Sequence, residues 1–217
     1  MNPQIDLQNE IEYFQNLLAE KEKMYNYDDI FVDSEDAREM LWSEDLFQDV
    51  GTYARTGASK FVIIAEDLNW VLKMPFWNED IDYCKREVDL YNKAIELDIE
   101  EFFTPVYPVG HYKTKSGNTL LLYLAQKVDT DYDAFWDSLQ EIPRSDNDTL
   151  SNLYSRDVIC EFVLIDKLAI DYSQSVLDKL VRFIEEENIN DLRSENTGLN
   201  KEGKLIFLDY SGYYCEC

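Results

Sequence analysis

The chain has 217 residues, of which 45% are apolar and 14% aromatic, so it can bury a hydrophobic core. Its formal net charge of −25 excludes the classes of protein that bind nucleic-acid phosphates or anionic membranes through a basic surface. No stretch is apolar enough to span a membrane, and the four cysteines include no Cys-x-x-Cys pair. We therefore expect a cytoplasmic protein with no nucleic-acid partner and no membrane partner.

The first 50 residues carry 14 acidic and 3 basic side chains, a net charge of −11. Apolar side chains recur there at helical spacing, at Leu7, Ile11, Phe14 and Leu18. A second helix is predicted to begin at Asp33 or Ser34. We interpret residues 1–45 as an acidic helical extension with one buried stripe and an acidic outer face. The alternative interpretation is a docking surface for a basic partner.

A pair of strands follows this extension. Residues 61–65 and 70–74 are rich in strand-forming types, and the turn residues 66–69 lie between them. This pattern predicts two adjacent antiparallel strands. Alternation along the second strand places Val71 and Lys73 on one face.

The next segment predicts an amphipathic helix over 78–97, because its apolar side chains are spaced by three and four residues. Two further strands are predicted at 104–112 and 119–125, which gives the order strand, strand, helix, strand, strand. Cys84 and His111 are assigned to packing.

The C-terminal part of the chain is predicted to be mainly helical. One long helix is expected over 150–170, and another is expected to begin after Ser173, a residue type that favours the N-cap position. A last strand at 204–208 follows a turn. The chain is therefore assigned to the α+β class, with a small antiparallel sheet lobe followed by a helical lobe.

Two polar motifs flank that last strand. Asp191 and Asn196 stand five residues apart before it, and Asp209 follows it, eighteen residues after Asp191. This arrangement resembles the catalytic loop and the metal-binding loop of the protein kinase-like family. Lys73 and, fourteen residues later, Glu87 resemble the strand lysine and the helix carboxylate of the same family.

The resemblance implies ATP-dependent phosphoryl transfer with Mg²⁺, in a cleft between two lobes. Asn196 and Asp209 would hold the metal, because hard cations prefer carboxylate and amide oxygens. Asp191 would orient the acceptor hydroxyl and receive its proton, and Arg193 would offset charge on the transferred group.

The remaining implied contacts lie in the N-terminal half. Lys73 would pair with Glu87 and contact the phosphates. The segment Gly57, Ala58 and Ser59 would cover the phosphates, and the backbone of Gln126 and Val128 would meet the adenine. Gly57, Ala58 and Ser59 belong to a degenerate glycine-rich loop in which Arg55 stands where the family has its first glycine.

Two departures from the family limit what the resemblance implies about regulation and about the type of kinase-like protein. Ile189 and Asn190 stand where most members have His-Arg, so activation by phosphorylation of a following segment is not expected. Only five residues follow Gly212, so the chain is most similar to the short, minimal kinase-like proteins of phages and bacterial effectors.

We therefore predict a minimal two-lobed kinase-like fold with an N-terminal helical extension. The predicted parts are the extension at 1–45, a sheet lobe at 46–126 and a truncated helical lobe at 127–217. The expected activity is ATP- and Mg-dependent phosphorylation of a protein hydroxyl, with basic proteins as the favoured partners. Two alternatives stay open: a pseudokinase that sequesters a basic partner, and a small-molecule kinase. Delivery as an effector would place the protein in a host cytoplasm.

Overall fold

A computed structural model describes residues 3–24, 52–56, 60–75, 81–113, 119–128, 137, 139, 142–145 and 147–212. The helices are α1 (Pro3–Met24), α2 (Ile81–Glu96), α3 (Asp148–Ser155), α4 (Phe162–Asp171) and α5 (Gln174–Glu186). The strands are β1 (Thr52–Thr56), β2 (Lys60–Ala65), β3 (Trp70–Pro75), β4 (Val106–Lys113), β5 (Thr119–Gln126), β6 (Thr197–Leu199) and β7 (Leu205–Phe207). None of the helices in these ranges is long and apolar enough to cross a membrane.

The chain divides into two compact units. One comprises Met1–Lys85 with Val106–Lys127, and the other comprises Arg86–Pro105 with Val128–Cys217. The first is built on a sheet and the second is mainly helical, so the predicted α+β class is confirmed. The domain boundaries inferred from the sequence stay predictions.

The first unit contains a five-stranded antiparallel sheet in the order β1-β2-β3-β5-β4. One face of this sheet is apolar, and its buried side chains are Phe61, Ile63, Leu72, Met74, Leu122 and Leu124. Val71 and Lys73 alternate with Leu72 and Met74 along β3 and therefore lie on the other face, as predicted. Strand β1, which pairs with β2, was not predicted from the sequence.

Helix α1 packs on the apolar face of the sheet through Ile11, Phe14, Leu17 and Leu18. The predicted buried stripe is thereby confirmed. The expectation of an acidic outer face is wrong at Glu10, which is buried in the same unit. Its carboxylate accepts hydrogen bonds from the backbone N–H groups of Trp70 (2.9 Å) and Asn69 (3.2 Å), at the turn between β2 and β3. The second helix predicted at Asp33 or Ser34 lies outside the described residues.

The second unit has its own core, formed by α3, α4, α5, the β6–β7 hairpin and part of α2. The single long helix predicted over 150–170 is wrong, because α3 ends at Ser155 and α4 begins only at Phe162. Asp157 adopts a φ of 55°, which ends a right-handed helix, and Ile159 then forms a parallel bridge with Leu192. The break therefore allows residues 158–160 to hydrogen-bond with the segment that contains Asp191.

The β6–β7 hairpin confirms the predicted last strand. Asn200 Oδ1 accepts hydrogen bonds from the N–H groups of Glu202 and Lys204, both at 3.0 Å, and Gly203 turns the chain with a φ of 75°. Asp171, at the end of α4, accepts a hydrogen bond of 2.7 Å from the N–H of Leu205. The hairpin is thus fixed to the helical core at the start of β7.

Three local predictions had different outcomes. Cys84 is fully buried in α2, so its assignment to packing is confirmed. His111 is exposed on β4, so the same assignment is wrong for His111. Ser173 precedes α5 as predicted, but its side chain makes no capping bond to that helix.

Candidate active site

The candidate catalytic loop begins where α5 ends. The helix closes with Asn188 in a left-handed conformation (φ 50°), and the N–H of Ile189 donates to the carbonyl of Ile184 at 2.9 Å. Asp191 then takes a second left-handed conformation, with a φ of 62°. For a residue with a Cβ this backbone costs about 1 kcal/mol, so the surrounding contacts must hold it.

Asn196 connects the two predicted motifs. Its Nδ2 donates to the backbone carbonyl of Asp191 at 3.0 Å, which leaves the amide oxygen Oδ1 as the atom that can face a cation. Its own carbonyl accepts a hydrogen bond of 2.8 Å from the N–H of Leu208, the residue before Asp209. The second unit therefore brings Asp191, Asn196 and Asp209 together, and their chemical roles stay predictions.

The segment after β7 is fixed by the side chain that follows Asp209. Tyr210 is fully buried, its hydroxyl donates to the carbonyl of Thr104 at 3.1 Å, and its ring meets Phe103 edge to face at 4.8 Å. Burial, with a smaller contribution from the charge of Glu87, holds the pKa of Tyr210 well above its ordinary value. Tyr210 therefore stays protonated and anchors Asp209 from one side.

Arg86 fixes the other end of the same region. From α2 it donates through Nη2 to the backbone carbonyls of Glu187 (2.7 Å) and Asn188 (2.9 Å), at the C-terminus of α5. A cation at this position satisfies carbonyls that the helix leaves without partners and complements the helix dipole. At Gly212, which has a φ of 72°, a Cβ would lie only 2.6 Å from Oδ1 of Asn190, so glycine is required there.

Residues 158–161, which the sequence analysis did not recognise as part of the site, hold the loop through hydrogen bonds. The N–H of Leu192 donates to the carbonyl of Val158 at 2.9 Å, and the N–H of Cys160 donates to the carbonyl of Leu192 at 3.0 Å. The next residue, Glu161, accepts hydrogen bonds from Ser194. The only sequence signal for this segment is its position between two helices, which the prediction of one long helix concealed.

The electrostatic environment of the loop is negative. Partial burial raises the pKa of the Cys160 thiol. The nearby carboxylates of Glu161 and Asp191 raise this pKa further, whereas Arg193 lowers it. Glu161 also has a raised pKa, first because of its burial and also because of the charge of Glu195. The acids around the loop therefore outnumber the one arginine that acts on this thiol.

Lys73 lies in the first unit and Glu87 in the second. Lys73 is buried on β3, in register between Val62 of β2 and Tyr123 of β5, and its Nζ lies 5.9 Å from the centre of the Tyr123 ring. Glu87 is fully buried in α2. The ion pair expected between them stays a prediction.

The other predicted nucleotide contacts belong to two further segments of the chain. Gly57, Ala58 and Ser59 lie outside the described residues. Gln126 ends β5, and the segment to Val128 is fixed by Lys127, whose N–H donates to the carbonyl of Asn69 at 2.7 Å. The side chain of Lys127 donates to the carbonyl of Glu66 at 2.9 Å. The backbone after β5 is therefore held in one place, and its contact with adenine stays a prediction.

The oxygen atoms of Asn196 and Asp209 are of the type that Mg²⁺ accepts, and their role as its ligands stays a prediction. Within the described ranges, no group of three or more His, Cys, Asp or Glu side chains is placed to hold a metal ion. Mg²⁺ commonly takes only one or two protein ligands and completes its shell with phosphate oxygens and water. Asp209 with the amide oxygen of Asn196 fits that requirement.

Comparison with known proteins gives weak similarities of fold. No protein-family model and no curated protein matches the sequence. A solved complex of streptomycin, ATP and APH(2″)-IIa has 13% identity and a TM-score of 0.33, covering 82% of this chain and 72% of that one. A GDP complex of an aminoglycoside 2′-phosphotransferase IIIa mutant has 16% identity and a TM-score of 0.36, covering 80% and 67%. Scores this low say nothing about what this chain binds or transfers.

Proposed function

We propose that the protein is an ATP- and Mg-dependent phosphotransferase that acts on a hydroxyl group. The observation that carries the proposal is the linkage through Asn196, whose amide nitrogen bonds the carbonyl of Asp191 and whose carbonyl bonds the residue before Asp209. A candidate base and two candidate metal ligands are thus fixed to one another within one compact unit. A solvated turn with the same residue types would not require these bonds.

Asp191 is proposed as the group that orients the acceptor hydroxyl and takes its proton. Arg193 already contacts the carboxylate of Asp191, so it is proposed to fix the direction of that carboxylate as well as to offset charge on the transferred phosphoryl group. Asn196 and Asp209 would hold Mg²⁺, which when bound neutralises the phosphates of the nucleotide.

The first unit would supply the nucleotide contacts. Lys73 is proposed to contact the phosphates of ATP with Glu87 as its partner, because a buried ammonium requires a compensating charge. Gly57, Ala58 and Ser59 are proposed to cover the phosphates. The backbone of Gln126 and Val128, held in place by Lys127, is proposed to meet the adenine.

A protein hydroxyl in a basic context is the proposed acceptor. The negative environment of the loop, in which Glu161, Asp191 and Glu195 all contribute, favours a cationic partner over an anionic one. The net charge of −25 also attracts a cationic partner at long range, and salt weakens this attraction.

The test is transfer of labelled γ-phosphate from ATP with Mg²⁺, to the protein itself, to proteins of a cell lysate and to a panel of small cationic alcohols. Asp209→Ala is the inactive variant, and Asp178→Ala, on the exposed surface of α5, is its charge-matched control. Labelling of a protein that requires Asp209 supports the proposal. Labelling only of small molecules would replace the protein acceptor, and Mg-dependent ATP binding without any transfer would indicate a pseudokinase.

A further inference from the structure

Glu161 directs its carboxylate away from its own helix. It occupies the N-cap position of α4, where a carboxylate ordinarily accepts hydrogen bonds from the first N–H groups of the helix, yet it makes no such bond. Instead, Oε2 accepts the N–H of Ser194 at 3.1 Å and Oε1 accepts the hydroxyl of Ser194 at 3.1 Å, 33 residues along the chain. The side chain of Glu161 therefore binds the candidate catalytic loop and not the N-terminus of α4.

Ser194 is a buried polar residue of this loop. Its exposed fraction is only 2%, and it begins the short turn Ser194–Asn196 whose first N–H has no partner within the turn. Glu161 supplies that partner. Without it, the buried N–H would lose its acceptor, and the hydroxyl would keep only its longer bond to Glu195 Oε2, at 3.3 Å.

The contact from Glu161 completes a support of four consecutive residues. Val158 and Cys160 hold the main chain of Leu192 by two hydrogen bonds, and Glu161 holds Ser194 two residues further on. The loop is thus fixed at both sides of Arg193, the residue whose guanidinium contacts Asp191. Since the left-handed backbone of Asp191 is unfavourable, both attachments help to hold it.

The surroundings of the Glu161 carboxylate disfavour its negative charge. Burial raises the pKa of Glu161, and the neighbouring Glu195 adds repulsion, while the two bonds from Ser194 oppose both effects. A neutral side chain would avoid the desolvation and the repulsion. The two-oxygen geometry of a carboxylate is what a neutral side chain cannot reproduce, because an amide has only one acceptor atom.

We propose that Glu161 is a positioning residue for phosphoryl transfer, which fixes the direction of Asp191 and the place of Asn196 through its two hydrogen bonds with Ser194. This inference rests on the proposed function. It assigns Glu161 no contact with nucleotide, metal or acceptor.

The test compares Glu161→Gln with Asp157→Asn. Both changes remove one negative charge near Cys160, Asn tolerates the left-handed backbone of residue 157, and Asp157 makes no bond to Ser194 among the described contacts. The rate is that of phosphoryl transfer from Mg·ATP to water, measured beside hydrogen exchange of the 191–196 backbone. Glu161→Gln should lower kcat by about 10- to 100-fold and change KM for ATP less than about threefold, with faster exchange in the loop. Asp157→Asn should match the wild type in all three.

A double-mutant cycle with Ser194→Ala separates positioning from general destabilisation. If the two side chains act as one unit, the double variant loses little more activity than Glu161→Gln alone, whatever the change in Tm. Additive losses, an unchanged loop exchange, or a kcat equal to that of Asp157→Asn would overturn the inference while the proposed function stands. A wild-type chain that does not bind Mg·ATP or does not transfer phosphate would overturn the proposed function, and the inference with it.

Discussion

Arg193 Nη2 donates a hydrogen bond to Oδ2 of Asp191 at 2.8 Å and lies 2.7 Å from Oδ1 of the same carboxylate. The pair is partly exposed, so it contributes little to the free energy of unfolding. Asp191 in turn raises the pKa of Arg193, chiefly through this hydrogen bond, and the guanidinium stays charged. The carboxylate of Asp191 is therefore oriented by the protein alone.

The backbone of Asp191 allows its chemistry to be tested separately from its conformation. Asn adopts the left-handed region more readily than Ala, so Asp191→Asn should keep the Tm of the wild type, whereas Asp191→Ala should lose about 1 kcal/mol. Both variants should lower phosphoryl transfer by about 10²- to 10⁴-fold, because each removes the base. Thermal denaturation and initial rates measure the two effects. An Asp191→Asn variant with the wild-type rate would show that Asp191 is not the base.

Asp209→Ala should abolish transfer and leave the fold intact. Removing one acid from an acidic region relieves repulsion, so stability should not fall, but the metal would lose its carboxylate ligand. The measurement is nucleotide affinity with and without Mg²⁺, for which the wild type should show a difference and the variant none. Undiminished transfer by the variant would disprove this role for Asp209.

Tyr210→Phe should destabilise the second unit by about 1–2 kcal/mol, because the buried carbonyl of Thr104 loses its donor. Tyr154→Phe, which changes an exposed tyrosine of the same unit, is the control. The folded-state pKa of Tyr210 is raised, so its contribution to stability is complete below the ordinary value of about 10 and is lost as the pH rises further. Denaturation at increasing pH should therefore show a smaller alkaline loss for Tyr210→Phe; an equal loss in both variants would contradict the assignment.

Helix α1 should be required for the stability of the sheet unit. Phe14→Ala should cost about 3–5 kcal/mol, because Phe14 is almost fully buried against the sheet, and Gln15→Ala on the exposed face should cost nearly nothing. Deletion of residues 1–45 should lower the Tm by several degrees or make the protein insoluble. Urea denaturation gives the free energies, and a truncated chain as stable as the whole would show that the packing of α1 is dispensable.

Lys73 and Glu87 are expected to act as one unit in nucleotide use. Lys73→Met and Glu87→Gln should each lower kcat/KM for ATP, and the double variant should fall little below the worse single one. Lys113→Met, which alters an exposed lysine at the end of β4, serves as the comparison. Coordinates with nucleotide and metal bound in which Glu87 is remote from Lys73 would refute the pairing.

The parts of the fold that depend on regular alternation could be predicted. The stripe on α1, the alternation of Lys73 with Leu72 on β3, and the turn after Ala65 all follow from local spacing, which a single sequence displays. The proximity of Asn196 to Asp209 was predictable only through a family resemblance, since it depends on the register of a hairpin whose two strands have three residues each.

The missed features all depend on contacts between distant parts of the chain. The break after α3 lies beside the bridge of Ile159 with Leu192, a contact between distant parts of the chain, whereas the apolar pattern of 150–170 by itself suits one helix equally well. Glu10 falls within an acidic sequence and is buried only because the N–H groups at the β2–β3 turn need an acceptor. The local sequence around Ile159 and around Glu10 does not indicate which distant residues they contact.

Arg86 reaches the end of α5 through the main chain alone, because both of its acceptors there are backbone carbonyls. Every amino acid at positions 187 and 188 offers the same carbonyl, so substitutions at these positions can neither strengthen nor replace the contact. Loss of Arg86 would therefore have no compensating mutation at its acceptors. Comparison of diverging sequences should show position 86 held constant and position 187 drifting, while position 188 varies among residues that accept its left-handed backbone; neither position should covary with 86.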